Sequence, residues 1–176
     1  ARVAMLLFGP LFVVLLSSIH ELATGDKRLL ARLSVYSSVV FAALIGLSYF
    51  VQLSAARLSV LRGETQGLDL VTQANPYSAI SAINVLGRSL FLGLASLFVA
   101  PVFSGRGAER VIKVSFLLNG VFCILGGVSY ALDSVTLVFL TLNLGMGGTV
   151  LAAAISLCVL FKRMERRMGR AGPPCS

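Results

Sequence analysis

Arg88 is the residue whose type and position most strongly suggest chemistry in this sequence. It lies within an apolar stretch of about residues 76–101, and at helical spacing it shares one face with Tyr77, Ser81 and Asn84. An ionised side chain is costly in lipid, so this polar stripe should face the interior of a helix bundle or a water-filled vestibule. The stripe therefore predicts a polar pocket that opens to the outer side of a membrane.

Two roles for Arg88 follow from this position, and the sequence leaves both open. In the first, the guanidinium binds an anionic group of a ligand. The predicted lining of that pocket comprises Asn84, Tyr77, Asn143 and Gln52. In the second, Arg88 is structural: its side chain extends toward the interface, or its charge is neutralised within the protein. The groups considered for this neutralisation are backbone carbonyls and the carboxylates of Glu64, Asp69 and Asp133.

Two amides, Asn119 and Asn143, interrupt the later apolar stretches. Their predicted depths differ by roughly 6 Å, at about 1.5 Å per helical residue. Either they line a polar pathway together with Arg88, or they form hydrogen bonds between helices. Such an interhelical bond contributes about 0.6 kcal/mol on average in a membrane. We favour the second interpretation.

Small residues at a spacing of four mark two predicted packing faces. Gly148, Ala152 and Ser156 form one ladder in the last apolar stretch, and Ala42 and Gly46 form another in the second. Small side chains allow helix backbones to approach closely in a membrane. We therefore expect both ladders to lie at contacts between helices.

Residue sets that would support catalysis or metal binding are scarce. The single histidine, His20, lies beside Glu21 at the end of the first apolar stretch, where a solvated polar side chain is expected. The three cysteines, Cys123, Cys158 and Cys175, have no spacing typical of a zinc site or a disulfide framework. The sequence therefore predicts a protein that is not an enzyme and needs neither a metal nor a cofactor.

The composition indicates a lipid environment for these residues. Of the 176 residues, 57% are hydrophobic and only 12% are charged, whereas soluble domains carry about 25% charged residues. Too few polar side chains are available to cover a soluble domain of this size. The net charge of +8 does not indicate nucleic-acid binding, because the positive charges form short clusters between long apolar stretches.

Five apolar stretches are long enough to cross the hydrocarbon core, which needs roughly 20 helical residues. The first is interpreted as a retained span and not a signal peptide. The third is predicted to begin with Asn75 as N-cap and Pro76 as first helical residue. The predicted fold class is all-α, a single bundle of about five transmembrane helices. The predicted spans are approximately 3–19, 33–53, 76–101, 111–132 and 135–161.

The positive charges give the predicted bundle an orientation. Eleven of the 15 lysine and arginine residues lie on the side of the C-terminus, which the positive-inside rule assigns to the cytoplasm, so the N-terminus is outside. Tyr49, Tyr77 and Tyr130 lie at the opposite helix ends, where amphipathic rings favour the interface. The basic tail, 162–176, should attract anionic lipid. We expect a multi-pass protein of a bacterial cell membrane.

The second and fourth apolar stretches share a residue pattern. Residues 40–49 and 121–130 both read Val-Phe-x-x-Leu-x-Gly-x-Ser-Tyr. The match fits a duplicated helical hairpin, as in parallel-repeat membrane folds, or a coincidence within a small set of residue types. Coincidence is favoured, because the third and fifth stretches do not match.

Three functional hypotheses arise from these observations. The favoured one is a non-enzymatic accessory or assembly subunit that acts through helix packing, in a homo-oligomer or a larger membrane complex. The second is an oligomeric transporter, channel or sensor whose outward-facing pocket around Arg88 binds an anionic ligand. The third, an intramembrane enzyme acting on lipid, is ranked last because no acid–base or metal set supports it.

Overall fold

The protein is almost entirely helical. Its structure is a computed structural model that describes residues 2–170, with side chains described for residues 2–162. Helices account for 84% of the structure, and the described residues contain no strand. As predicted, five helices are long and apolar enough to cross a membrane. They are α1 (Arg2–Leu22), α2 (Lys27–Arg62), α3 (Ala79–Val102), α4 (Ala108–Ala131) and α5 (Val135–Lys162).

The basic tail falls mostly beyond the described side chains. The backbone of α5 remains helical to Arg170, while residues 171–176, including Cys175, lie outside the described residues. The predicted contact of this tail with anionic lipid therefore stays a prediction.

Each helix packs against the next one along the chain. Short connections join α1 to α2, α3 to α4 and α4 to α5, whereas residues 63–78 form a longer loop between α2 and α3. The Nζ of Lys27, at the start of α2, donates to the carbonyl of Val102 at 3.3 Å and to the Oγ of Ser104. This contact brings the α1–α2 and α3–α4 connections together at the end of the bundle opposite the 63–78 loop.

Aromatic and small residues bring α1 and α2 together. The rings of Phe8, Phe12 and Phe41 form one cluster, with centroids 5.6, 5.9 and 6.0 Å apart. Beside it, a Cβ added to Gly9 would lie 3.0 Å from the Cα of Ala42. The backbones of α1 and α2 therefore approach closely at Gly9 and Ala42, because glycine has no side chain to hold them apart. Ala42 belongs to the ladder predicted on α2.

Large apolar side chains cover the outside of the bundle. Leu11, Val14, Phe50, Leu151 and Ile155 are each more than half exposed. Monomeric soluble proteins rarely expose a contiguous apolar surface of this extent. The outer surface is therefore suited to an apolar solvent, while the interior packs around fully buried residues such as Leu92 and Ile112.

The start of α3 differs from the prediction. The helix does not begin at Asn75-Pro76: the N-cap is Ser78, whose Oγ accepts the backbone N–H of Ser81 at 3.1 Å. The side chain of Asn75 is used within the loop, where it donates to the carbonyl of Asp69 at 2.9 Å and accepts the N–H of Tyr77 at 3.0 Å. Because the side chain of Asn75 forms hydrogen bonds within the turn, Ser78 acts as the N-cap of α3 instead.

Three of the helices contain a π-helical segment. Gln52–Ala56 lies in α2, Gly87–Phe91 in α3 and Phe139–Gly145 in α5. Each segment contains one of the polar residues predicted to line a pocket, namely Gln52, Arg88 and Asn143. Segments of this kind are rare and occur frequently at functional sites.

Candidate functional site

A cavity of about 580 Å³ opens at the end of the bundle that carries the 63–78 loop. Its wall is built from the 63–78 loop, the first parts of α3 and α5, the end of α4 and Tyr49 of α2. Arg88 and Asp133 are its charged residues, and Asn84 and three tyrosines are among its polar ones. Small-molecule sites typically occupy roughly 300–1,000 Å³. The cavity therefore has the size of a binding site for a small organic molecule.

Arg88 reaches from the π-helical segment of α3 to that of α5. Its Nη2 donates to the carbonyl of Leu142 at 2.5 Å and to the Oδ1 of Asn143 at 3.4 Å. The π-helical register of α5 directs the N–H of Met146 to the carbonyl of Thr141, five residues back. In a regular α-helix that N–H would bond to Leu142, so the π register leaves the carbonyl of Leu142 available to the guanidinium.

The charge of Arg88 is not neutralised by an acidic side chain. Across residues 2–162, the only basic side chain within ion-pair distance of a carboxylate is that of His20, whose Nδ1 lies 3.6 Å from the Oε1 of Glu21. Of the partners considered from the sequence, a backbone carbonyl is observed and the three carboxylates are not. Of the three guanidinium nitrogens, which carry five N–H donors, only Nη2 makes hydrogen bonds. The guanidinium therefore retains both its charge and donor capacity beside the cavity.

Asn84 lies one helical turn before Arg88 and contributes an unpaired donor. Its side chain is 5% exposed, and its Nδ2 has no hydrogen-bond partner. A buried amide group without a partner costs about 1–3 kcal/mol. Asn84 lies in the cavity wall, but its Nδ2 is buried, so an acceptor atom of a ligand would satisfy this group once the Asn84 side chain rotates toward the cavity.

Tyrosines and Asp133 form the rim of the cavity. The hydroxyl of Tyr77 donates to the Oδ1 of Asp133 at 3.0 Å, and the hydroxyl of Tyr130 donates to the carbonyl of Pro76. The hydrogen bond to Asp133 and the negative charge of that carboxylate raise the pKa of Tyr77 above the ordinary value of a phenol. These bonds fasten the end of the 63–78 loop to the α4–α5 turn.

The predicted pocket residues are divided between the cavity and its surroundings. Arg88, Asn84 and Tyr77 lie in the cavity wall. Asn143 is exposed and outside the wall, but it accepts a hydrogen bond from Arg88 and so helps to position the guanidinium. The structure therefore brings four of the five predicted residues into one connected region.

Gln52 has a different place. It is 1% exposed, its Nε2 donates to the carbonyl of Val71 at 2.7 Å, and its Oε1 accepts the N–H of Gln73 at 3.1 Å. Both polar ends of the amide are thus used to hold the 63–78 loop against α2. Gln52 supports the loop that borders the cavity and does not line the cavity itself.

Comparisons with known proteins add no assignment for this cavity. No protein-family model, curated protein or solved structure matches this chain. Within the described part of the chain, no three His, Cys, Asp or Glu side chains are grouped so that they could hold a metal ion. Arg88, Asn84 and Asp133 are therefore the residues of the cavity wall whose charge or amide group can recognise a ligand.

Two tyrosines of the cavity were not assigned to a pocket from the sequence. Tyr49 and Tyr130 both lie in its wall, as does Asp133. The available signal was the pattern shared by residues 40–49 and 121–130, which ends in Ser-Tyr in both helices. The pattern places equivalent tyrosines, Tyr49 and Tyr130, on two helices that face the same cavity.

Asn119 forms hydrogen bonds between helices. Its Nδ2 donates to the Oγ of Ser96 at 2.7 Å, and its Oδ1 accepts the hydroxyl of Thr149 at 3.1 Å. These bonds join α3, α4 and α5 below the cavity, where Asn119 is 1% exposed. The observed contacts match the interhelical interpretation for Asn119, and it makes no hydrogen bond to Asn143 or Arg88.

His20 is less solvated than expected. Its side chain is 17% exposed, and its Nε2 is buried without a hydrogen-bond partner. The neighbouring residues Ile19 and Ala23 are also buried, so this end of α1 packs against the protein instead of extending into solvent. The expectation of a solvated histidine was wrong for this reason.

The predicted ladder on α5 faces away from the rest of the chain. Gly148 and Ala152 are exposed and Ser156 is half-buried, and a Cβ on Gly148 would meet no atom within 4 Å. Similarly, a Cβ on Gly46 of α2 would meet no atom within 4 Å. The buried face of α5 is formed instead by Leu142, Met146, Ala153 and Leu157.

Proposed function

We propose that this protein is a multi-pass membrane protein with its N-terminus outside and its C-terminus in the cytoplasm. Five apolar helices, an apolar outer surface and clustered positive charges support this proposal. A bilayer provides the apolar solvent that the exposed leucine, valine and phenylalanine side chains need. A location in a bacterial cell membrane stays a prediction.

We propose further that the cavity binds a small ligand through an anionic group. The observation that carries this proposal is that two neighbouring residues of the cavity wall lack partners. Arg88 has no acidic partner in residues 2–162, and the Nδ2 of Asn84 has no hydrogen-bond acceptor. A carboxylate or phosphate oxygen would accept from Arg88 and, after rotation of the Asn84 side chain toward the cavity, from its Nδ2 as well. Hydrogen bonds to charged groups are stronger than neutral ones, and a partly desolvated site strengthens them further.

Packing below the cavity favours binding over conduction. Leu92, Ala95 and Ser96, which follow Arg88 along α3, are each 0% exposed. Asn119 fills the space next to Ser96 through its hydrogen bond. Since the interior is closed at this level, we favour a binding or sensing role over an open channel, and transport would require a rearrangement of α3 and α5.

Replacing Arg88 with glutamine tests the proposal. We expect Arg88→Gln to weaken the binding of butyrate and of methyl phosphate by about tenfold to hundredfold, because a charged hydrogen bond is lost. Binding would be measured by isothermal titration calorimetry on the protein in lipid nanodiscs.

The matched control is Arg57→Gln. Arg57 is exposed on α2, so this variant removes the same charge without touching the cavity. It should bind both probes like the wild type, which separates contact with the ligand from long-range attraction. Equal binding by the two variants, or no binding of either probe by the wild type, would contradict the proposal.

A second candidate function is that of an assembly subunit, and the exposed ladder on α5 favours it. Gly148 offers open space to an approaching helix, and Leu151 and Ile155 on the same exposed side are 62% and 57% exposed. We propose that this side packs against a second copy of the chain through the Gly148, Ala152 and Ser156 ladder.

The double variant Gly148→Leu/Ala152→Leu should reduce the molar mass to that of a monomer, because the bulky side chains fill the groove. Multi-angle light scattering after size-exclusion chromatography in mild detergent gives the mass. Ala43→Leu, at an exposed alanine of α2, is the control and should leave the oligomer intact. A wild-type protein that is itself monomeric would rule this function out.

A further inference from the structure

The cavity contains two opposite charges: the carboxylate of Asp133 at its rim and the guanidinium of Arg88 deeper inside. Asp133 lies in the wall, and its Oδ1 accepts the hydroxyl of Tyr77 at 3.0 Å. No lysine or arginine in residues 2–162 forms an ion pair with it. The carboxylate at the entrance therefore has no cationic partner, and the guanidinium of Arg88 further in has no acidic one, among residues 2–162.

The aromatic side chains of the cavity suit a cation near that carboxylate. Tyr49, Tyr77 and Tyr130 all lie in the wall. The face of a tyrosine ring attracts an ammonium group, and this attraction grows when the group is partly desolvated. Tyr77 also holds Asp133 in place through its hydroxyl, so the aromatic and acidic groups act on the same region of the cavity.

The two charged groups are separated along α5. Asp133 lies just before the helix, which begins at Val135, and the guanidinium of Arg88 is held at the carbonyl of Leu142. Seven residues of helix correspond to a rise of about 10 Å. A small molecule of a few carbon atoms can therefore contact both groups at once, with hydrogen bonds of about 2.8 Å at each end.

We propose that the ligand is a small zwitterion with an anionic group at one end and a protonated amine at the other, as in amino acids and related amino-carboxylates. The anionic group binds Arg88 and, once the Asn84 side chain rotates toward the cavity, its Nδ2. The ammonium group binds Asp133 among the tyrosines. This inference rests on the proposed binding of an anionic group and adds the class of ligand. It explains why one cavity holds unpaired groups of both charges.

Matched probes test the inference on the protein in nanodiscs. The probes are butyrate, 4-aminobutyrate, hexanoate and 6-aminohexanoate, and each amino-carboxylate differs from its partner by the amine. In at least one pair we expect the amino-carboxylate to bind about fivefold more tightly, as a partly exposed ion pair provides. Titration calorimetry measures both affinities.

Asp133→Asn is the informative variant. Asp133 has a φ of 55°, in the left-handed region that asparagine also tolerates, and asparagine can still accept from Tyr77. The variant should lose the gain from the amine, so that each amino-carboxylate binds no more tightly than its partner. Glu64→Gln, at an exposed carboxylate of the loop, should leave that gain unchanged.

The outcomes separate the two proposals. If neither amino-carboxylate binds more tightly than its partner, or if Asp133→Asn keeps the gain, the zwitterion is ruled out while anion binding stands. If the wild type binds neither carboxylates nor amino-carboxylates, both proposals fail. A gain that depends on Asp133, together with binding that depends on Arg88, supports both.

Discussion

Replacing Gly120 with leucine is expected to lower the free energy of unfolding by about 2–3 kcal/mol, because the new side chain would lie where α3 and α4 meet. A Cβ at Gly120 would lie 2.5 Å from the Cγ of Leu97 and 3.1 Å from the carbonyl oxygen of Gly93. Leu97 can change its rotamer, but the backbone of Gly93 can move only with α3. The two helices must therefore separate.

Cys123 provides a direct measurement of that separation. It is 0% exposed, and a Cβ on Gly93 would lie 3.2 Å from its Cβ, so it lies at the same crossing. In a Cys158→Ser/Cys175→Ser background it is the only thiol of the chain. We expect Gly120→Leu to raise the rate at which a maleimide dye labels Cys123 by at least about tenfold.

Gly46→Leu is the control for this prediction. A Cβ at Gly46 would meet no atom within 4 Å, so leucine has room there. Its labelling rate should match that of the background protein, since only backbone entropy and helix propensity change. If Gly120→Leu labelled as slowly as Gly46→Leu, the close α3–α4 crossing would be contradicted.

Replacing Gly9 with leucine is expected to separate α1 from α2. A Cβ at Gly9 would lie 3.0 Å from the Cα of Ala42 and 3.1 Å from its Cβ, and neither atom can move without its helix. Separation would also weaken the contacts of Phe8 and Phe12 with Phe41. A loss of about 2–3 kcal/mol corresponds to a fall of about 5–10 °C in the thermal midpoint.

The midpoint would be measured as the temperature at which half of the detergent-solubilised protein leaves its monodisperse chromatographic peak. Gly46→Leu lies on the same helix as Ala42, one turn away, and should not lower the midpoint, because leucine has room there and favours a helix more than glycine does. Cys123 labelling of Gly9→Leu at low temperature should stay slow, because the α1–α2 contact is distinct from the α3–α4 crossing. An unchanged midpoint in Gly9→Leu would contradict the close packing of α1 on α2.

The helices were predictable because their signals are local. An apolar stretch of sufficient length is a property of consecutive residues, and all five were recognised in this way. The start of α3 was not, because Asn75 and Ser78 are both good N-cap residues. The choice depended on the loop, where Asn75 bonds to Asp69 and Tyr77 and leaves Ser78 to cap the helix.

The part of the candidate site that lies along α3 was predictable from the sequence, whereas the part contributed by other segments was not. Tyr77, Asn84 and Arg88 follow one another at helical spacing on or just before α3, and all three lie in the cavity wall. Gln52 is equally polar and lies at the same end of the bundle, yet it bonds to the 63–78 loop. The direction of the Gln52 side chain depends on where the 63–78 loop lies. The spacing of residues within α2 does not reveal that position.

The sequence by itself determined five apolar helices, one polar face on α3 and the clustering of positive charge, because helical period, hydrophobic length and charge belong to neighbouring residues. Only the tertiary structure decided that Arg88 bonds to the carbonyl of Leu142 and that Asp133 shares its cavity. Those contacts depend on helix rotation and on the π-helical register of α5, which arise when distant segments pack together.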